Sequence, residues 1–217
     1  MKKGFLISFE GGEGCGKSTQ LKKFAIFLEE EGFDFLITRE PGGTEVGEKI
    51  RNILLHDKAA LSSKTEFLLF SASRCKLIEE VIIPALNEGK IVVLDRYFDS
   101  SYTYQGYAGN LNLQDLQTIT NFAIGDDAQP DLTVLLDLSY EEGFQRKSAD
   151  ERLKNLDRIE QKGKEYHDKV RAGYLQLAKD NPRRIFVVDA TKTQDEIFEI
   201  VKFEFKKRYQ NCQNGTK

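Results

Sequence analysis

One eight-residue segment constrains the fold of this chain more than any other. Residues 11–18 have the sequence GGEGCGKS, which fits the pattern GxxxxGK[ST] and lies between an apolar run and a helical pattern. Glycines at this spacing let backbone N–H groups turn towards phosphate oxygens, and the following helix adds a favourable dipole. Lys17 would reach the β- and γ-phosphates, and the Ser18 hydroxyl would bind Mg²⁺. The segment predicts a site for a nucleoside triphosphate with magnesium and leaves the acceptor open.

The predicted phosphate site includes the whole loop and the residue after it. Its members are Gly11, Gly12, Glu13, Gly14, Cys15, Gly16, Lys17, Ser18 and Thr19.

Apolar runs alternate with helical patterns along the chain. The predicted strands cover residues 5–9, 33–38, 91–94, 132–138 and 184–188. The predicted helices cover residues 19–31, 44–55, 64–88, 111–124, 140–147, 157–179 and 193–209. We expect a kink or break at Pro84, which has no backbone N–H to donate. The alternation predicts one α/β domain over residues 1–210, a five-stranded mostly parallel sheet with helices on both faces, and a polar tail over residues 211–217.

The composition narrows the classes of function. A net charge of -3 gives no sign of a nucleic-acid-binding surface, so we expect no nucleic-acid partner. No apolar run is long enough to span a bilayer, and the N-terminus leads straight into a short apolar run without a signal peptide. Cys15, Cys75 and Cys212 are far apart, which argues against a disulfide framework or a zinc site. We therefore expect a cytoplasmic protein without a membrane partner.

A second carboxylate follows the third predicted strand. Asp95 ends the apolar run of residues 91–94, where a Walker B carboxylate would hold magnesium directly or through water. Many buried strands end in Asp, so the phosphate loop is what gives this pattern its meaning. Arg96 comes next and would lie at the carboxyl edge of the sheet, where ligands of open α/β sheets bind and where an arginine can bridge phosphates.

Four further segments carry a family resemblance. TREPGGT at residues 38–44, DRY at 95–97 with Ser100 and Ser101, YQG at 104–106 and LDR at 156–158 resemble the thymidylate kinases of the bacterial type. The match is collinear from about Phe5 to beyond Phe186, which is nearly the whole chain. The resemblance implies a P-loop nucleoside monophosphate kinase fold and the reaction ATP + dTMP → ADP + dTDP.

The resemblance also implies an acceptor site for dTMP. Arg51 and Arg96 would grip its phosphate, since paired charge-assisted contacts suit a dianion. Phe70 would stack on thymine, and Arg74, one helical turn later, would bond a thymine carbonyl. Gln105 offers both a donor and an acceptor to the edge of the base. Without the resemblance, Phe70 would be interpreted as a core aromatic and Arg74 as a solvated surface side chain.

Four other residues belong to the same predicted pocket. Tyr104 would pack near the deoxyribose, where its bulk disfavours a 2′-hydroxyl, although a structural aromatic fits the pattern nearly as well. Glu40 and Ser101 would line the cleft. Glu13 would orient the acceptor side through the 3′-hydroxyl or a water, and a solvated carboxylate at the loop tip is its alternative.

The phosphate loop contains no arginine, although phosphoryl transfer needs positive charge on the transferring group. The resemblance implies that a lid at about residues 146–157 supplies it, with Arg146 and Arg152 as candidates and Arg158 as an anchor of the lid or nucleotide. This segment is longer than expected and its register is open, so a solvated charged stretch is the alternative. The predicted catalytic residues are Lys17, Arg96, Arg146, Arg152 and Glu13.

Two other functions compete with this interpretation. A kinase for another nucleoside monophosphate would use the same phosphate loop. A P-loop switch would need a guanine signature NKxD and a DxxG segment, and the sequence has neither. The resemblance further implies a homodimer, for which the predicted helices at residues 64–88 and 111–124 could provide faces.

Overall fold

A parallel sheet forms the centre of the molecule. The computed structural model describes residues 4–57, 60–149 and 157–215. Within those ranges the strands are β1 (Phe5–Gly11), β2 (Phe35–Arg39), β3 (Ile91–Asp95), β4 (Leu132–Asp137) and β5 (Ile185–Asp189). Their order is β2-β3-β1-β4-β5 and all neighbours pair in parallel. The sheet therefore extends on both sides of β1, and the carboxyl end of β1 lies at the switch point where such sheets bind ligands.

Helices cover both faces of this sheet. They are α1 (Lys17–Glu30), α2 (Glu45–His56), α3 (Ser63–Leu77), α4 (Ile83–Asn87), α5 (Phe98–Ser101), α6 (Leu113–Ile124), α7 (Tyr140–Ala149), α8 (Lys164–Asp180) and α9 (Gln194–Gln213). A π-helical segment, Ile78–Ile82, joins α3 to α4, and another, Tyr102–Tyr107, follows α5. In the described part of the chain, no helix combines the length and apolar character that crossing a bilayer requires.

The two faces of β1 serve two hydrophobic cores. Phe5, Ile7 and Phe9 pack with α1 and α9, while the intervening Leu6 packs with the α3–α4 layer. Successive side chains of a strand point to opposite faces, so an apolar strand can fill both cores. This double burial fixes the end of β1 and hence the start of the phosphate loop.

The five strands lie where the sequence predicts them, with ends shifted by one or two residues. The second strand begins at Phe35 rather than at residue 33. At Pro84 the chain does not break, because the wider turn of Ile78–Ile82 precedes it and accommodates a residue that cannot donate. Helix α9 continues to Gln213, so the predicted tail from residue 211 begins inside a helix.

Two predictions of local structure were wrong. Residues 157–163 form a turn and not the start of a long helix, since the Asp157 carboxylate accepts bonds from the N–H groups of Ile159 and Glu160 at 2.8 and 2.9 Å. Helix α8 begins only at Lys164. Helix α5 and the following π-helical segment were not predicted, because their aromatic and hydroxyl residues have weak helix propensity.

Candidate active site

A cleft of about 300 Å³ opens at the carboxyl edge of the sheet. Twelve of the predicted site residues line it, and they come from the phosphate loop, β3 and the helices beside them. They are Glu13, Lys17, Ser18, Glu40, Arg51, Phe70, Arg74, Asp95, Arg96, Ser101, Tyr104 and Gln105. The sheet topology thus brings together residues that are up to 92 positions apart, from Glu13 to Gln105.

The phosphate loop has the backbone that its glycines predict. Gly14 and Gly16 have φ angles of 71° and 94°, in the left-handed region where a side chain is strained. The Lys17 ammonium donates to the carbonyl oxygens of Gly11 at 3.2 Å and Gly12 at 3.3 Å. These bonds hold the lysine across the loop, at the start of α1, where a phosphate would find both its charge and the helix N-terminus.

Both side chains of the predicted magnesium site line the cleft. Asp95 and Ser18 line the same cleft, one at the strand end and the other in the first turn of α1. Among the described residues no three His, Cys, Asp or Glu side chains form a metal-binding group. A carboxylate with a hydroxyl fits Mg²⁺, which typically takes its remaining ligands from phosphates and water.

Arg96 lies at the junction of the phosphate loop and the acceptor side. Its φ of 67° is unusual for a residue with a side chain and turns the guanidinium back over the sheet edge. There it donates to the Gly11 carbonyl at 3.1 Å, to Ser100 Oγ at 3.2 Å, and to Glu13 Oε1 at 2.5 Å. The Tyr104 hydroxyl donates to the same Glu13 oxygen at 3.0 Å.

Glu13 is held in its ionised form by these neighbours. Burial alone would raise the pKa of Glu13, but Arg96, Lys17 and Lys147 together hold that pKa well below its usual range. A solvated carboxylate at the loop tip is therefore not what the structure shows. Glu13 instead joins the loop to Arg96 and Tyr104.

Sequence reasoning missed a carboxylate, Glu10, that shares two hydrogen-bond partners with Arg96, namely Ser100 and Tyr174. Glu10 is fully buried and accepts bonds from the Tyr97 N–H at 2.7 Å, from Ser100 Oγ at 2.7 Å and from the Tyr174 hydroxyl at 2.8 Å. Burial raises the pKa of Glu10 to about 7, and the Asp99 carboxylate adds to the rise. A charged residue near the end of an apolar strand was the signal in the sequence that could have identified it.

A buried arginine, Arg74, also lines the cleft. Arg74 is 0% exposed, so it is not the solvated side chain that the pattern alone suggested. Its Nε and Nη2 donate to the Glu40 carboxylate at 2.8 to 3.1 Å, and Nη2 also donates to Ser101 Oγ at 2.9 Å. Burial disfavours its charge, but the Glu40 carboxylate raises the pKa of Arg74. Its Nη1 has no hydrogen-bond partner.

Phe70 and Gln105 lie beside Arg74 on the cleft wall. Phe70 is half-buried and packs against the cluster that includes Tyr104. Gln105 is buried, and its Nε2 donates to Glu66 Oε2 at 3.0 Å. An aromatic side chain, an arginine with an unpartnered nitrogen and an amide therefore line the same cleft as the phosphate loop.

Two arginines border the cleft on the side of β2 and α2. Arg51 Nη1 donates to the Pro41 carbonyl at 2.9 Å. Burial, and then the Arg39 guanidinium, lower the pKa of Arg51. Arg39 also lines the cleft and pairs with Glu48 at 3.1 Å. It stands in the TREPGGT segment, but sequence reasoning did not assign it to the site.

The predicted lid arginines do not line the cleft in the described residues. Arg146 is exposed on α7, and Arg152 lies outside the residues that the structure describes. Lys147 instead pairs with Glu160 and lies 3.9 Å from Glu13 Oε2. Arg158 turns away from the phosphate loop, where its Nη1 pairs with Glu66 at 2.9 Å and its Nη2 donates to the Leu54 carbonyl at 3.0 Å.

The parallel sheet, the phosphate loop at its switch point and the adjoining pocket define a P-loop nucleoside monophosphate kinase fold. The sequence model of the family described as thymidylate kinase matches residues 9–201. The chain belongs to the thymidylate kinase family.

Similar proteins cover almost the full length of the chain. A thymidylate kinase of Thermoanaerobacter sp. (strain X514) is 44% identical over 204 residues, which span 92% of this chain and 98% of that protein. One from Caldanaerobacter subterraneus subsp. tengcongensis is 46% identical over 187 residues, 86% of this chain and 88% of that protein. A crystal structure of thymidylate kinase from Ehrlichia chaffeensis superposes with a TM-score of 0.72 at 30% identity, covering 93% of this chain and 99% of that one.

Proposed function

We propose that this protein transfers the γ-phosphoryl group of ATP to dTMP and releases ADP and dTDP. The observation that carries the proposal is the unpartnered Nη1 of the buried Arg74, on a wall shared with Phe70 and Gln105. A buried donor without a partner is costly, and a carbonyl oxygen of a bound base would satisfy it. The phosphate loop lines the same cleft and would supply the site for the phosphoryl donor.

The acceptor phosphate would lie between the base and the phosphate loop. Arg96 and Arg51 both line the cleft, and Arg39 adds a third guanidinium. Arginine binds phosphate oxygens through two parallel bonds, which fixes orientation as well as supplying charge. Glu13 would accept from the sugar side of dTMP, because its carboxylate is ionised and faces Tyr104 within the cleft.

The residues present fit magnesium in the donor site. Ser18 Oγ and the Asp95 carboxylate would hold the ion, directly or through water, and a bound ion there supplies charge stabilisation to the phosphates. Lys17 would release the loop carbonyls and contact the transferring group. Because few protein ligands are at hand, the nucleotide and the ion would bind together.

The charge on the transferring group would come from Lys17, Arg96 and a lid arginine. Arg146 and Arg152 remain the proposed lid residues, and closure of residues 146–157 would bring one of them to the phosphates and exclude water. Arg146→Ala or Arg152→Ala should lower kcat about 100-fold while changing KM for ATP little. An unchanged kcat in both variants contradicts the lid assignment.

A substrate panel tests the proposal directly. ADP release is measured with a coupled assay in the presence of ATP and Mg²⁺ and dTMP, dUMP, dCMP, AMP or GMP. We expect a higher kcat/KM with dTMP than with dCMP, AMP or GMP, because Arg74 and Gln105 complement a pyrimidine carrying carbonyl oxygens and Tyr104 disfavours a ribose. Fastest turnover with AMP or GMP would contradict it.

We also propose a cytoplasmic homodimer. Leu68 on α3 and Phe122 on α6 are 49% and 88% exposed, and a shallow apolar groove lies between these helices. Exposed apolar surface of this kind is typical of subunit interfaces. Size-exclusion chromatography with light scattering should give twice the mass of the chain, and Phe122→Glu should give the monomer. A monomeric wild-type protein would contradict the dimer.

A further inference from the structure

We infer that Glu66 is a positioning residue that fixes the orientation of the Gln105 amide and so sets which pyrimidine the cleft accepts. The inference rests on the proposed function, since it concerns the base of the acceptor nucleotide. Glu66 itself does not line the cleft and would act through Gln105.

Glu66 is a buried carboxylate with partners on two sides. It lies on α3 with 1% of its side chain exposed. Oε2 accepts from Gln105 Nε2 at 3.0 Å, while Oε1 pairs with Arg158 at 2.9 Å and with Lys162 at 3.3 Å. Two cations pair with the one carboxylate, and these contacts compensate for its removal from water.

The oxygens of the Glu66 carboxylate accept from nitrogen atoms of all three partners. The carboxylate therefore selects the amide orientation in which Gln105 directs its nitrogen towards α3, and this leaves the Oε1 carbonyl as the acceptor available to the cleft. Without Glu66, rotation of the amide by half a turn would exchange donor and acceptor at almost no steric cost.

The fixed amide complements one class of base. Arg74, whose Nη1 has no partner, lines the same cleft, so a bound base would meet a donor as well as an acceptor. Thymine and uracil present a carbonyl beside an N–H, which matches this pair. Cytosine presents an amino group beside an unprotonated ring nitrogen, which places donor against donor and acceptor against acceptor. Rejection of such a mismatch is strong where the site groups are buried.

The Glu66 carboxylate also connects Gln105 to residues 157–163, which follow the predicted lid. Arg158 and Lys162 both belong to residues 157–163, the turn between the lid region and α8. The Arg158 guanidinium also donates to the Leu54 carbonyl at the end of α2. Lys162 lies over the Tyr166 ring at 4.5 Å, and the Tyr166 hydroxyl donates to the Tyr104 carbonyl at 2.7 Å. Residues 157–163 and Gln105 therefore have a common partner, the buried Glu66 carboxylate.

The test is Glu66→Gln, because glutamine has the same shape but can donate as well as accept. We expect kcat/KM for dTMP to fall about 10-fold, and the ratio of kcat/KM for dTMP over dCMP to fall by a similar factor, since the amide is free to flip. KM for ATP should stay within about twofold. Glu79→Gln, an exposed glutamate that pairs with Lys76, is the matched control and should leave the ratio unchanged.

A double variant separates positioning from general loss of structure. In a Gln105→Met background, Glu66→Gln should change the dTMP over dCMP ratio no further, because the group through which it acts is gone. If Glu66→Gln does not fold, Glu66→Gln with Lys162→Met removes one charge of each sign and is measured in the same way.

Two outcomes overturn different statements. A wild-type protein that does not phosphorylate dTMP contradicts the proposed function. A wild-type protein that prefers dTMP over dCMP, together with a folded Glu66→Gln variant of unchanged preference, leaves that function intact and contradicts the role of Glu66.

Discussion

Arg74 combines structural contacts to Glu40 and Ser101 with its proposed contact to the base. Three of the bonds from Arg74 go to the Glu40 carboxylate, and one goes to Ser101, so most of its guanidinium is committed to the protein. Only Nη1 has no hydrogen-bond partner, and the bonds of the other two nitrogens hold the guanidinium in place. Such an arrangement fixes a donor with little conformational freedom, which lowers the cost of ordering it when a base binds.

Removing Arg74 should separate its two roles. Arg74→Met should lower the free energy of unfolding by about 3 to 5 kcal/mol, because Glu40 is left buried and unpaired. Arg74→Met with Glu40→Gln should recover most of that stability in urea denaturation. Neither variant should recover kcat/KM for dTMP, which we expect to fall about 10 to 100-fold. Recovery of activity in the double variant would show that the guanidinium does not contact the base.

Glu10 makes stability depend on pH. Its folded pKa of about 7 lies above the ordinary value of 4.5, so the folded protein binds this proton more tightly than the unfolded chain. Its contribution is thus present at low pH and is lost as the pH rises through about 7. Urea denaturation of wild type and Glu10→Gln at pH 5 and pH 8 should show a loss up to about 3 kcal/mol larger in wild type. Equal losses would place the Glu10 pKa near its ordinary value.

At the scale of elements, α7 supports the phosphate loop from outside. The Gly143 backbone lies so close to Glu13 and Gly14 that a Cβ atom at Gly143 would overlap the Glu13 carbonyl oxygen. Gly163, at the start of α8, has nothing within 4 Å of the corresponding position. The first glycine is therefore needed for the approach of helix and loop, and the second is not.

Alanine at these two glycines should have opposite consequences. Gly143→Ala should lower kcat/KM for ATP about 100-fold, because a displaced loop no longer aligns the phosphates. Gly163→Ala should leave it within about twofold. Steady-state kinetics with ATP as the varied substrate measure both variants. A Gly143→Ala variant with wild-type kinetics would show that the loop tolerates displacement by α7.

Elements were predictable from the sequence to different degrees. The strands could be predicted, because a strand buried on both faces must be apolar throughout, as residues 91–94 are. The phosphate loop could also be predicted, because its glycines are needed for the backbone conformation of the loop itself. The burial of Arg74 could not be predicted, since it depends on Glu40, which is 34 positions away. The approach of Lys147 to Glu13 depends in the same way on the packing of α7 against the loop.

For the whole molecule, ligand binding should be visible as stability. A ligand that binds only the folded chain stabilises it by about 2.7 kcal/mol at 100 times its Kd. For a chain of this length that corresponds to a rise in Tm of about 5 to 10 °C. Thermal unfolding with dTMP should show this rise, and AMP at the same concentration should not. A larger shift with AMP would contradict the proposed acceptor.

The wider turn of Tyr102–Tyr107 has a consequence for how this chain can vary. An α-helix advances by about 100° per residue, so the direction of every later side chain depends on how many residues precede it in the turn. The π-helical segment contains Tyr104 and Gln105, and both meet the cleft. Loss of one residue here would return the segment to ordinary helical phase and rotate the cleft-facing side chains away. We expect point substitutions in this stretch to be graded in effect, and a one-codon deletion to remove the proposed contacts of Tyr104 with the sugar and of Gln105 with the base together.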